Sequence, residues 1–199
     1  MLTIVSALRA ETEPIIHAMP RVEALPCGAG SLRRYRHFDL LRVGVGEQRA
    51  VQSFKAYLER YRPSQVVLMG FAGALNAQVS IGQVFAIEKI IHAGSSQTLA
   101  LPVPETFGRL ARASLLTVAK ALTDGGEKNK FREQFKTDLV DMESFYLAAL
   151  CHERHIECFA LKGVSDLADS AANMQFKKNF KSVSLILFET LKSILQIEK

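Results

Sequence analysis

Neither glycine (12 residues) nor proline (6 residues) is enriched in this 199-residue chain, and no stretch reads as low-complexity. A disordered or fibrous chain is therefore excluded. No internal repeat is present, which sets aside solenoids and propellers. Long apolar runs are also missing. The most apolar stretch, "VSLILF" from Val183 to Phe188, falls far short of the roughly 18 residues a membrane span needs. Cysteine is sparse: Cys27, Cys151 and Cys158 cannot make a disulfide framework, so a reduced, cytoplasmic setting is the expectation. The N-terminal "MLTIVSALRAE" has no basic leader before its apolar run and reads as a first strand rather than a signal peptide. Charge of one sign is not in excess either, since 25 Lys and Arg against 20 Asp and Glu leave a formal +5. The basic clusters "RRYRH" (Arg33–His37) and "FKKNFK" (Phe176–Lys181) read as solvated faces. Without a recognition-helix, RNA-binding or zinc-finger signature, neither a nucleic acid nor a membrane is an expected partner.

What remains is a chain with 48% hydrophobic residues, the composition of a globular protein with a full core. A single domain over residues 1–199 is expected. Near-continuous apolar runs predict strands at Leu2–Leu8, Phe38–Gly46, Ser64–Gly73, Gln83–Ile91, Ala113–Ala119, Thr137–Met142 and Glu157–Asp166; such runs suit strands buried on both faces. Helical spacing appears at Glu11–Met19, Glu47–Arg62, Glu127–Phe135, Met142–Arg154 and Asn179–Ile197. The alternation predicts an α/β fold, a three-layer α/β/α sandwich on a mixed central sheet. Sites in such folds gather where strands end, so the strand-ending motifs are where chemistry is sought.

Five motifs qualify. "GVG" (Gly44–Gly46) and "GFAGAL" (Gly70–Leu75) follow strands, and glycine permits close backbone approach and unusual dihedrals. Neither is a dinucleotide fingerprint. "VDMES" (Val140–Ser144) places two carboxylates around a methionine at a strand-to-helix junction. Asp141 suits a helix cap. Glu143 is less easily explained as a favourable charge on the helix dipole. "GVSDLADS" (Gly163–Ser170) brings Ser165 and Asp166 to the end of the last strand, with Asp169 read as structural. "ALRAETEP" (Ala7–Pro14) carries Glu11 and Glu13, with Pro14 suited to a first helical turn. The segment "CHERHIEC" (Cys151–Cys158) lacks a second paired cluster, so no metal site is expected. A serine hydrolase would need G-x-S-x-G, which does not occur.

Taken together, in this order and spacing, the motifs resemble the nucleoside phosphorylase/nucleosidase family, especially its methylthioadenosine/S-adenosylhomocysteine nucleosidase branch. "GVGEQRA", "GFAGAL", "SIGQVF", "VDMES" and "VSDLAD" carry the likeness over nearly the whole chain. The resemblance implies cleavage of a purine N-glycosidic bond without cofactor or metal. It implies Asp166 as the general acid to purine N7, oriented by Ser165. Glu11 is implied as the base that activates water, and Glu143 as the acceptor for the ribose hydroxyls. Met142 is implied beneath the sugar, Ala72 and Gly73 along the purine, Val45 near the 5′ substituent, and Gly70 and Phe71 as further substrate-binding residues. A small-molecule nucleoside is the implied partner, and a homodimer the implied assembly. Phosphorylase relatives hold phosphate with an Arg and a Ser around the "GxxGA" turn. Here Leu68, Met69 and Phe71 stand there, and apolar groups do not stabilise a dianion. Hydrolysis is therefore favoured. Arg42 and Arg49 keep phosphorolysis as the alternative, and a non-catalytic nucleoside-binding relative is a third reading. The chain is short between Ile91 and Asp138, where relatives supply an aromatic over the base; Phe107 is the candidate replacement. Lys162 stands where these nucleosidases often have arginine. Compact branches such as the futalosine hydrolases are similar in this respect.

Overall fold

In the computed structural model, which describes residues 1–27 and 30–196, ten strands form one sheet. They are β1 (Leu2–Ser6), β2 (Glu23–Cys27), β3 (Gly30–Arg34), β4 (Phe38–Arg42), β5 (Gln65–Ala74), β6 (Val84–His92), β7 (Thr98–Ala100), β8 (Ala111–Thr117), β9 (Leu139–Asp141) and β10 (Glu157–Asp166). Five α-helices accompany them: α1 (Arg9–Ala18), α2 (Glu47–Arg60), α3 (Gly125–Phe135), α4 (Ser144–Glu153) and α5 (Ala172–Leu195). The sheet is mixed. β1 runs parallel to β4 and β5, and β5 parallel to β10, while β6 joins β10 antiparallel. β8 and β9 lead back to the far end of β5, so β5, β10, β6, β8 and β9 close on themselves.

The strand periodicity sorts the core into two layers. Val5, Leu41, Leu68 and Ala160 pack with Phe54 and Tyr57 of α2 and Leu147 and Cys151 of α4. Their chain neighbours Ile4, Leu40, Val67, Met69 and Leu161 point the other way, onto Ile15 of α1 and Val183, Leu187 and Leu191 of α5. Helices thus cover both faces, as the α/β/α expectation required. Every residue of β5 after Gln65 is buried, which explains why that strand reads as an unbroken apolar run. A Cβ at Gly163 would lie 2.7 Å from Val183 Cγ1; glycine there lets α5 settle against β10.

Several expectations need correction. The second predicted strand ends at Arg42 rather than Gly46, because Gly44 and Gly46 adopt φ of +94° and +86°, outside the β region. The β2–β3 hairpin and β7 were not foreseen. α5 begins at Ala172 rather than Asn179, and its predicted end at Ile197 lies outside the described residues. Among the described residues no helix is long and apolar enough to cross a membrane.

Candidate active site

The ends of β1, β5, β9 and β10 open onto one cavity of about 240 Å³. Glu11, Glu143 and Asp166 all line it, as do Val45, Phe71, Ala72, Gly73, Met142 and Ser165. Motifs separated by up to 155 positions in the chain, from Glu11 to Asp166, are therefore brought together. Gly70 is not among the lining residues; its α-carbon faces Glu11, and a Cβ there would lie 2.5 Å from Glu11 Oε1. Phe107 is buried against Phe159 in the α5-side core and does not replace the missing aromatic. The aromatic ring at the cavity besides Phe71 is Phe176, 5.5 Å from Phe71 in an edge contact.

Glu11 sits at the third position of α1, and its Oε2 accepts the Leu8 amide at 2.7 Å, the Ala7 amide at 2.9 Å and the Ser6 hydroxyl at 2.5 Å. It therefore caps its own helix, as a carboxylate at this position often does. Oε1 accepts the Phe71 amide at 2.8 Å. Each carboxylate oxygen carries two acceptor sites; Oε2 is saturated by its three donors, whereas Oε1 accepts only the Phe71 amide and keeps one site. Glu13 instead lies on the surface with Arg9.

Glu143 occupies the entry to α4, where its Oε1 accepts the Gly46 amide at 2.7 Å. The glycine turn after β4 thus orients this carboxylate. Burial, with Asp141 nearby, pushes the Glu143 pKa up to about 7, against the Gly46 hydrogen bond and the Lys162 charge. Lys162, itself buried, pairs with Asp141 at 2.9 Å. Burial opposes the Lys162 charge, but Asp141, Glu11 and Glu143 outweigh it and raise its pKa. Asp141 also accepts from Thr117 Oγ1 at 2.7 Å and from the Ser144 amide. It anchors the start of α4 from two residues before the N-cap, which is Glu143 rather than Asp141 as the sequence suggests.

Asp166 ends β10. Burial pushes its pKa above the usual value, while the Ser165 hydroxyl at 2.7 Å and the Ala168 amide at 3.0 Å work in the other direction. Asp169 closes the following turn by accepting the Ala171 amide. The remaining wall comes from Val118, Ala121, Leu122 and Thr123, between β8 and α3, and from Ala172 and Asn173 at the start of α5. These wall residues were not foreseen. Phe176 carried a usable signal, because Phe176, Phe180 and Val183 continue the apolar stripe of α5 through the segment read as a basic cluster.

The charged side chains lining the cavity are all acidic: Glu11, Asp141, Glu143 and Asp166. Such a site can hold hydroxyl donors, move protons and bind an apolar body against Phe71 and Phe176. Arg42 and Arg49 are not lining residues.

Residues 17–196 match the family model described as the phosphorylase superfamily, and the chain belongs to that superfamily. A methylthioadenosine/S-adenosylhomocysteine nucleosidase of Buchnera aphidicola (subsp. Schizaphis graminum) is 28% identical over 193 residues, covering 84% of this chain and 82% of that protein. An aminodeoxyfutalosine nucleosidase of Campylobacter jejuni is 21% identical, over 88% of this chain and 89% of its own. Among solved structures, the futalosine hydrolase of Helicobacter pylori superimposes with a TM-score of 0.90 at 18% identity, covering 98% of this chain and 97% of that one.

Proposed function

We propose that the protein is a purine nucleosidase, an N-glycosidase that hydrolyses the bond between an adenine-type base and a 5′-substituted ribose. Methylthioadenosine, S-adenosylhomocysteine and aminodeoxyfutalosine define the substrate class. The observation that carries this reading is the convergence of Glu11, Glu143 and Asp166 on one cavity with no cation in its lining among the described residues. Leaving-group departure is the hard step, because the purine leaves as an anion while the ribose becomes an oxocarbenium ion. Asp166, whose pKa burial raises, donates a proton to N7. Glu143 accepts the ribose hydroxyls, with Met142 below the sugar. Glu11, pinned by four donors, takes the proton of the attacking water through its remaining acceptor site. The negative lining favours a cationic transition state and disfavours a phosphate nucleophile.

Leu8, Val45, Phe71 and Phe176 supply an apolar side to the cavity, matched to a thioether or alkyl 5′ group. Val45 remains 40% exposed. We infer further that the chain works as one domain and that a second copy covers Val45, giving a homodimer of about 44 kDa, twice 22.0 kDa. Light scattering tests this: a particle near 22.0 kDa contradicts the dimer. The activity is tested by incubating the protein with this nucleoside panel, with and without phosphate, and following free base by chromatography. Base release without phosphate is expected. Release that depends on phosphate means phosphorolysis, and binding without release means a non-catalytic relative.

A further inference from the structure

The acid-bearing turn is gripped from outside the cavity. Lys128, half-buried in the first turn of α3, donates from Nζ to the Leu167 carbonyl oxygen at 2.6 Å. The same peptide unit carries the Ala168 amide, which donates to Asp166 Oδ1 at 3.0 Å. The preceding amide, that of Leu167, is held by Gln175 Oε1 of α5 at 2.8 Å. Ala168 sits at φ +51°, a left-handed conformation that costs a non-glycine residue roughly 1–2 kcal/mol and persists only where the surroundings fix it. α3 itself buries no residue. It rests on the cavity wall through Phe131 and Phe135.

We propose that Lys128 is a positioning residue for the acid, acting on Asp166 through the Leu167–Ala168 peptide. This rests on the reading of Asp166 as the general acid. A cation on the carbonyl end of a peptide polarises its amide end, because hydrogen bonds in a chain strengthen one another. Once the proton has passed to the purine, Asp166 is left as a buried carboxylate. The Ser165 hydroxyl, the Ala168 amide and the Lys128 charge then stabilise that anion. The charged groups acting on Asp166 are Asp169 on its own turn, which raises its pKa, and Lys128 from α3, which lowers it. The α5 side presents Asn173 and Gln175, which are uncharged.

The test uses Lys128→Met, Lys128→Gln and Lys128→Arg in the full chain, with circular dichroism to confirm folding. The Asp166 carboxyl is titrated by carbon-detected NMR in the ligand-free protein, and kcat and KM are measured for base release. Loss of the cation should move the Asp166 midpoint up by at least about 0.3 pH unit, an about twofold change in acid dissociation. It should lower kcat about tenfold, as loss of a charged hydrogen bond does, with a smaller change in KM; Lys128→Arg should stay near the parent. A folded Met or Gln variant with an unmoved Asp166 midpoint overturns the inference, whatever its kinetics. If the parent protein releases no base from any nucleoside, the functional reading fails instead, and the titration still decides the role of Lys128.

Discussion

Lys162 Nζ lies 2.9 Å from Asp141, both side chains buried, with the carboxylates of Glu11 and Glu143 both acting on its charge. One cation thus offsets the cluster of acids that the fold draws together. Removing either partner strands the other in the interior. Lys162→Met or Asp141→Asn should destabilise the protein by about 3–5 kcal/mol. Denaturant unfolding checks this, and a loss below about 1 kcal/mol contradicts the pairing.

The pKa of Glu143 near 7 has two consequences. The unfolded chain releases this proton near 4.5 and the folded protein near 7, so stability falls as pH rises through that window. Glu143→Gln should remove that slope, gaining on the order of 3 kcal/mol relative to the parent between pH 4 and pH 8. Parallel stability profiles for the two proteins would contradict the shift. In the parent, kcat/KM should rise with pH towards neutrality as Glu143 ionises to receive the ribose hydroxyls.

Gly70 and Gly73 leave the space that the Glu11 and Asp166 carboxylates occupy. A Cβ at Gly70 would meet Glu11 Oε1 at 2.5 Å, and one at Gly73 would meet Asp166 Oδ1 at 2.8 Å and the Ala168 side chain at 3.0 Å. Glu11 is held by four donors and cannot swing aside freely. Gly70→Ala and Gly73→Ala should each cost about 1–3 kcal/mol of stability and reduce kcat/KM by displacing a carboxylate. Unchanged activity in Gly70→Ala would mean that the position of Glu11 is not critical.

On the proposed mechanism, Asp166→Asn keeps the size of the side chain and removes the proton delivered to the purine. Turnover should fall by about 10²–10⁴ while nucleoside binding, measured by calorimetry, persists. Full activity would remove Asp166 as the acid.

The interior of the fold was legible in the sequence because burial on both faces leaves an unmistakable trace. β5 and β10 were read nearly to the residue, and the stripe of Ala50, Phe54, Tyr57 and Leu58 marks the buried side of α2. The β2–β3 hairpin was hidden because it is short and carries Glu23, Pro26, Arg33 and Arg34; its strands pair through the backbone, which no side-chain pattern announces. The three carboxylates were legible because each ends a strand or starts a helix. The wall from Val118 to Thr123 was not, since it lies in a loop with no period. Nor was Lys128, whose significance depends on a contact with Leu167 across 39 positions.

The most direct test is turnover of the preferred nucleoside in H₂¹⁸O, with mass spectrometry of the released sugar. The account predicts one ¹⁸O atom on the anomeric carbon and free base in equal amount, with or without phosphate present. Unlabelled sugar phosphate, formed only when phosphate is added, would contradict it.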